Sequence, residues 1–141
     1  MFWQKKLSGF MKKEHGKMQS MLDKLDYTNK DFEIFSKLKK ILENHIYAEE
    51  KAIHLLHKRG KMFPALSKVI EEHNDIEISL YELVGPNIKT KEIKLKKIQA
   101  LAELLRNHLE NEDKNFYPYL DSNLNSEERE EIFEILEKNL D

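Results

Sequence analysis

From Leu38 to Leu56 the apolar residues return every three or four positions, yet two turns of that stripe carry His45 and Glu49 instead. The spacing is that of a helix with one buried face. Three further segments repeat it, and together they constrain the fold more than any other feature. The first runs from about Trp3 to Leu25, with Trp3, Leu7, Met11, His15, Met18, Leu22 and Leu25 on one face, and DYTNKD ends it. The second starts near Asp31, a candidate N-cap, and reaches about Arg59, where Gly60 offers a stop. The third runs from Pro64 to Val84, before Gly85-Pro86-Asn87, with the stripe Leu66, Ile70, His73, Glu77, Leu80, Val84. The fourth runs from about Lys91 to Glu112 or a little beyond, placing Ile98, Leu101, Leu105, His108, Glu112, Phe116 and Tyr119 in register. Pro118 bends or stops it.

Four such stripes joined by short breaks predict an all-α, up-down-up-down antiparallel four-helix bundle, with helices crossing near 20°. A short fifth helix, EEREEIFEILEKNL, follows the cap candidates Asn125 and Ser126 and packs Ile132, Phe133 and Leu136 on the bundle. Residues 1–141 read as one domain, without an internal linker. Trp3 and the last helix read as caps on that bundle.

Composition narrows the chemistry. With no cysteine there are no disulfides, thiolate metal sites or Cys nucleophiles. The 24 basic and 26 acidic side chains are interspersed, so no stripe marks a nucleic-acid partner. The lysine-interrupted start and the lack of a long apolar run give no signal peptide and no membrane span, and the expected location is cytoplasmic. Neither a phosphate loop nor a Ser/His/Asp grouping appears.

What remains is a pattern repeated three times. HIYAE (45–49), HNDIE (73–77) and HLENE (108–112) each put His and Glu one turn apart on the inward stripe, and His15 joins from the first helix. Seven candidate ligands, His15, His45, Glu49, His73, Glu77, His108 and Glu112, thus converge from four helices. Burying several charged groups uncompensated costs several kcal/mol each, which cations relieve. A purely structural bundle would instead be stabilised by Leu at His45 or His73. His54 and His57 lie roughly 180° and 120° around the helix from His45 and read as surface residues. Glu50, Glu71, Glu72, Glu110 and Asp113 flank the motifs and read as solvated charge.

Imidazole and carboxylate donors without sulfur suit iron or manganese, with zinc substitution open, and seven side chains suffice for two adjacent six-coordinate ions. The Glu-x-x-His pairs of a ferritin-like site are absent from the stripes. Phe10, Phe32, Phe35, Phe63, Phe116, Tyr81 and Tyr119 are candidates for an apolar pocket around such a site.

The order His15, HIYAE, HNDIE, HLENE, then Tyr117-Pro118, over residues of about 10 to 120, resembles the hemerythrin family of HHE cation-binding type. The resemblance implies two iron ions with an oxo or hydroxo bridge. Glu49 and Glu112 would bridge them, His15 and His45 would bind one, and His73, Glu77 and His108 the other. It implies binding of dioxygen or another diatomic such as nitric oxide, for sensing, storage or transport. The alternatives are redox turnover of peroxide, oxygen or nitric oxide with an external electron donor, or iron handling. Two positions depart from the oxygen carriers. Glu77 stands where they have a second histidine, and the last bridge is Glu112, four residues after His108, rather than an Asp five after. An extra anionic donor at Glu77 would favour the ferric state.

Overall fold

The computed structural model describes residues 6–25, 32–84 and 91–140. The expected start at Trp3, the DYTNKD break, the Asp31 cap, the Phe32 side chain and the Gly85-Pro86-Asn87 break lie outside what it describes. Among the described residues there are helices and no strands. These are α1 (Leu7–Leu25), α2 (Phe32–Lys58), α3 (Pro64–Val84), α4 (Lys91–Asn111), a π-helical turn (Glu112–Phe116), α5 (Tyr117–Asn123) and α6 (Ser126–Leu140). None is long and apolar enough to cross a membrane.

The stops have local causes. Gly60 takes φ +74°, donates its N–H to the carbonyl of His57, and lets Lys61 N–H reach the carbonyl of Leu56. This Schellman ending satisfies carbonyls that the last turn of α2 would otherwise leave open. At the start of α6, Asn125 accepts from Glu128 N–H at 2.8 Å, while the Glu128 carboxylate accepts from Asn125 N–H at 3.0 Å, a reciprocal capping box. The α1 start borrows its cap from far away in sequence: Asp121 accepts from the Leu7 and Ser8 amides at 2.7 and 3.1 Å.

α1 packs on α2, α2 on α3, α3 on α4 and α4 on α1, and α6 lies along α2. Ile132 and Leu136 of α6 are buried and Phe133 is partly so, as its pattern predicts. The apolar core is divided in two. One cluster joins Met18 and Leu22 of α1, Leu38 and Leu42 of α2, Ile76 and Leu80 of α3, and Leu101 and Leu105 of α4. The other joins Leu7 and Met11, Ala52 and Leu56, Leu66 and Val69, then Phe116, Tyr117 and Leu120. Between them lies a buried polar layer of His15, His45, Glu49, His73, His108 and Glu112.

The chain does not stop at Pro118. A π turn absorbs it: Tyr117 N–H bonds back five residues to the Glu112 carbonyl, and α5 continues to Asn123. Proline lacks the N–H that an α-ladder would use there, and the wider turn also takes in one extra residue. Everything beyond is rotated relative to an unbroken α-helix. Tyr117 and Leu120 therefore face inward, whereas Tyr119, expected in the stripe, is 39% exposed.

Candidate metal centre

His15, His45 and His73 are delivered by the middle of a helix and His108 by the last turn of α4, which runs on into the π turn, so a regular backbone fixes each Cβ direction. His15 comes from α1, His45 and Glu49 from one turn of α2, and His73 from α3. His108 comes from α4 and Glu112 from the first residue of the π turn. All six are at most 1% exposed.

Their polar atoms converge. His15 Nε2 lies 3.3 Å from His45 Nε2 and 3.1 Å from Glu112 Oε1. His45 Nε2 is 3.2 Å from Glu49 Oε1, and His73 Nε2 is 2.9 Å from the same oxygen. His108 Nε2 is 3.3 Å from Glu112 Oε2. Two overlapping groups result: His15, His45, Glu49 and Glu112, and Glu49, His73, His108 and Glu112. Both carboxylates are shared.

Three histidines are held from outside by acidic side chains of the next helix. Asp113 accepts from His15 Nδ1 at 2.7 Å, Glu50 from His73 Nδ1 at 3.2 Å, and Glu72 from His108 Nδ1 at 2.9 Å. Asn111 Nδ2 also donates to Glu72, at 3.1 Å. These carboxylates are therefore not simply solvated, as their flanking positions suggest. Each sits beside a ligand in sequence (Glu50 after Glu49, Glu72 before His73, Asp113 after Glu112), so it points roughly 100° away, at the neighbouring helix. Glu71 and Glu110 are exposed, as expected. Glu14 shares this adjacency to His15 but pairs with Lys17.

A proton on Nδ1 turns each Nε2 lone pair toward the centre. There the lone pairs face one another and face anions, which is repulsive unless cations intervene. Among the described residues, His108 Nε2 and both oxygens of Glu112 find no hydrogen-bond partner. Two donors each about 2.1 Å from one ion and at right angles are about 3.0 Å apart, close to the separations seen here. The donor set thus fits metal ions, with nitrogen and oxygen donors of the kind that bind iron, manganese or zinc.

Without metal, protons must take that role. Burial would lower the His45 imidazole, but the negative charges of Glu49 and Glu112 beside it outweigh burial and raise it to about 10. Burial likewise opposes His108, and Glu112 above all, with Glu49 and Glu72, pushes it up to about 12. Against the same desolvation, Asp113 and Glu112 raise His15. Burial disfavours ionised Glu49, yet His45, His108 and His73 hold its carboxyl well below the usual range. Glu112 is also lowered, by His108 and His15 against burial and the charge of Glu49.

Residues 6–120 match the sequence model of the hemerythrin HHE cation binding domain. The chain belongs to that family. No curated relative and no solved structure matches it. The hemerythrin-type layer holds six of the seven residues expected from the motifs, and Glu77 is the exception. Glu77 is exposed and lines a groove of about 410 Å3 between α2 and α3, with Lys39, Glu43, Tyr47, Glu50 and Tyr81. The buried stripe of α3 is Leu66, Val69, His73, Ile76, Leu80, Leu83, so Ile76 takes the inward position next to His73 and Glu77 is turned out.

Tyr117 is the residue that the motif search passes over as a participant. It is 1% exposed, and its hydroxyl donates to Glu49 Oε2. Burial first, and then the charges of Glu49 and Glu112, raise its phenol well above the ordinary value, which keeps the donor proton in place. Among the pocket candidates, Phe35 and Phe116 are buried in the two clusters, Phe10 and Phe63 pack at the edge of one, and Tyr81 is 76% exposed.

Proposed function

We propose that this hemerythrin-type domain holds a pair of iron ions, bridged by Glu49, Glu112 and an oxo or hydroxo group. There it binds dioxygen, or another diatomic such as nitric oxide, for sensing, storage or transport in the cytoplasm. The observation that carries the reading is the pair of overlapping donor groups that share both carboxylates. Two histidines serve each position, in the setting of an up-down-up-down bundle. Iron, when bound, supplies the electrons and Lewis acidity that a diatomic ligand needs. The chain's part is different. Apolar residues on both sides of the polar layer, Ile76 and Leu105 on one and Met11 and Phe116 on the other, keep water away. The outer carboxylates fix the histidine rings.

The placement of Glu77 bears on the alternatives. Two histidines and two shared carboxylates leave open positions at each ion, and Glu77 does not add the anionic donor that would favour the ferric state and redox turnover. The test is the metal content of protein from iron-supplemented cells, with an absorption spectrum taken anaerobically after reduction and again in air. About two irons per chain, expected from two four-donor groups, with charge-transfer bands that come and go with oxygen, support the binding role. Steady consumption of an electron donor would instead establish an enzyme, reversible loss of iron an iron-handling role, and manganese or zinc in place of iron a different cofactor. A folded chain that takes up no metal refutes the reading.

A further inference from the structure

The groove between α2 and α3 lies outside the donor layer but is joined to it. Ile46, Leu80 and the exposed rings of Tyr47 and Tyr81 give it an apolar lining. Three carboxylates, of Glu43, Glu50 and Glu77, line it as well, against the single ammonium of Lys39. Lys39 pairs with Glu43 at 2.7 Å, and Lys51 is engaged over the Tyr47 ring, 5.0 Å from its centroid. Glu50 and Glu77 therefore leave the groove negative. Of the three outer carboxylates that hold histidine rings, Glu50 is the most open, 43% exposed against 22% for Asp113 and 21% for Glu72. It accepts from His73 Nδ1 at 3.2 Å, and the far nitrogen of that ring, Nε2, lies inside the layer, 2.9 Å from Glu49 Oε1. From groove to layer the connection is one hydrogen bond and one imidazole ring.

We propose that this groove is the docking surface for an electron-carrier protein that presents a basic patch around its exposed redox group, and that Glu50 and His73 are its connection to the metal pair. This rests on the two-iron reading above. In each encounter the reduced carrier gives up one electron, and a ferric ion held by His73 takes it and becomes ferrous; no bond in the chain is made or broken, and two encounters restore the pair. Charge complementarity selects the occupant. A negative groove steers a cationic patch toward it from a distance, whereas two copies of this chain docked groove to groove would bring like charges together. The apolar lining supplies the water-excluding centre of the contact and the carboxylates its polar surround, in the small, transient class of interface that redox partners use. Glu77 thereby acquires a role at the groove, although it stands outside the metal layer.

The first test needs no iron. The full chain, isotope-labelled and loaded with redox-inactive Zn2+, is titrated in an NMR experiment with reduced cytochrome c of the basic, lysine-ringed kind and, separately, with an acidic flavodoxin. The amide signals of Ile46, Tyr47, Glu50, Glu77 and Tyr81 should shift with the basic carrier alone, and less as salt is raised. Glu77→Lys should weaken that binding about tenfold or more, with zinc per chain unchanged. No shifts, shifts elsewhere on the chain, or equal shifts with both carriers overturn the proposal. So do shifts that follow the concentration of the chain itself, which would place a second copy in the groove. The second test loads iron and follows, by stopped flow, reduction of the ferric chain by cationic hexaammineruthenium(II) and by the anionic iron(II) complex of EDTA. Glu77→Lys should slow the cation about tenfold at low salt and speed the anion. Unchanged rates beside a groove that binds the carrier overturn the electron connection. A chain that takes up neither zinc nor iron refutes the two-iron reading and the connection with it, and carrier-induced shifts in that chain would uphold the docking surface alone.

Discussion

Metal uptake by this layer should expel protons, and the number follows from the buried histidines. Before metal binds, His45 and His108 hold their protons up to about 10 and about 12, so both are imidazolium at neutral pH. Each must surrender the Nε2 proton before that nitrogen can serve as a ligand. Filling the layer therefore releases at least about two protons, and the overall affinity rises about tenfold per pH unit for each. Between pH 6.5 and 8.5 the gain is of the order of ten-thousandfold. Calorimetric titration of Co2+ into metal-free chain, repeated in buffers of different ionisation enthalpy, counts the protons directly. Release of fewer than about one proton, with affinity flat in pH, would refute the reasoning. The stability of the metal-free chain runs in the opposite direction. His45 and His108 are raised above their unfolded value of 6.5, so their contribution is complete below 6.5 and lost as pH climbs toward 10 and 12. Glu49 and Glu112 are lowered from 4.5, so theirs is complete above 4.5 and lost as pH falls through their folded values. The metal-free chain should be most resistant to heat between those two values, at the acid side of where metal binds well.

Other outcomes can be checked with single substitutions. Glu77→Gln should leave metal stoichiometry and affinity unchanged and alter stability by less than about 0.5 kcal/mol, whereas Glu112→Gln should lower the amount of metal bound per chain; equal loss in both would restore Glu77 to the site. Asp113→Asn or Glu72→Gln, each loosening one histidine ring, should weaken metal binding about 10- to 100-fold in a competition titration with a coloured chelator. Gly60→Ala meets no side-chain clash, so its cost is backbone strain alone, about 1–2 kcal/mol by chemical denaturation.

Much of this was legible in the sequence because helix period and ligand spacing coincide. His15, His45, Glu49, His108 and Glu112 each lie in an apolar stripe whose other members are buried, and the stripe alone places them. Glu77 misleads because the His-x-x-x-Glu repeat competes with the packing pattern. Leu66, His73 and Leu80 are seven apart, and so are Val69, Ile76 and Leu83, which defines the inner face of α3 and leaves Glu77 beside it. Together the two sets turn Ile76, not Glu77, toward the layer. The outer carboxylates were hidden for a different reason: Glu50, Glu72 and Asp113 act on neighbouring helices, and a periodicity argument treats one helix at a time. Only Pro118 hinted at the π turn. A wider turn cannot be told from a simple kink without knowing what the residues beyond it pack against.

That turn bears on how such chains diverge. A helix that accommodates one surplus residue as a bulge can gain or lose it without shifting the residues downstream out of phase. A relative lacking one position between the last glutamate and the Tyr-Pro pair could still aim its aromatic ring at Glu49, through an ordinary helical turn. A single gap at 113–115 in such a pairing would mark where one lineage acquired or shed a residue, not a misplaced alignment.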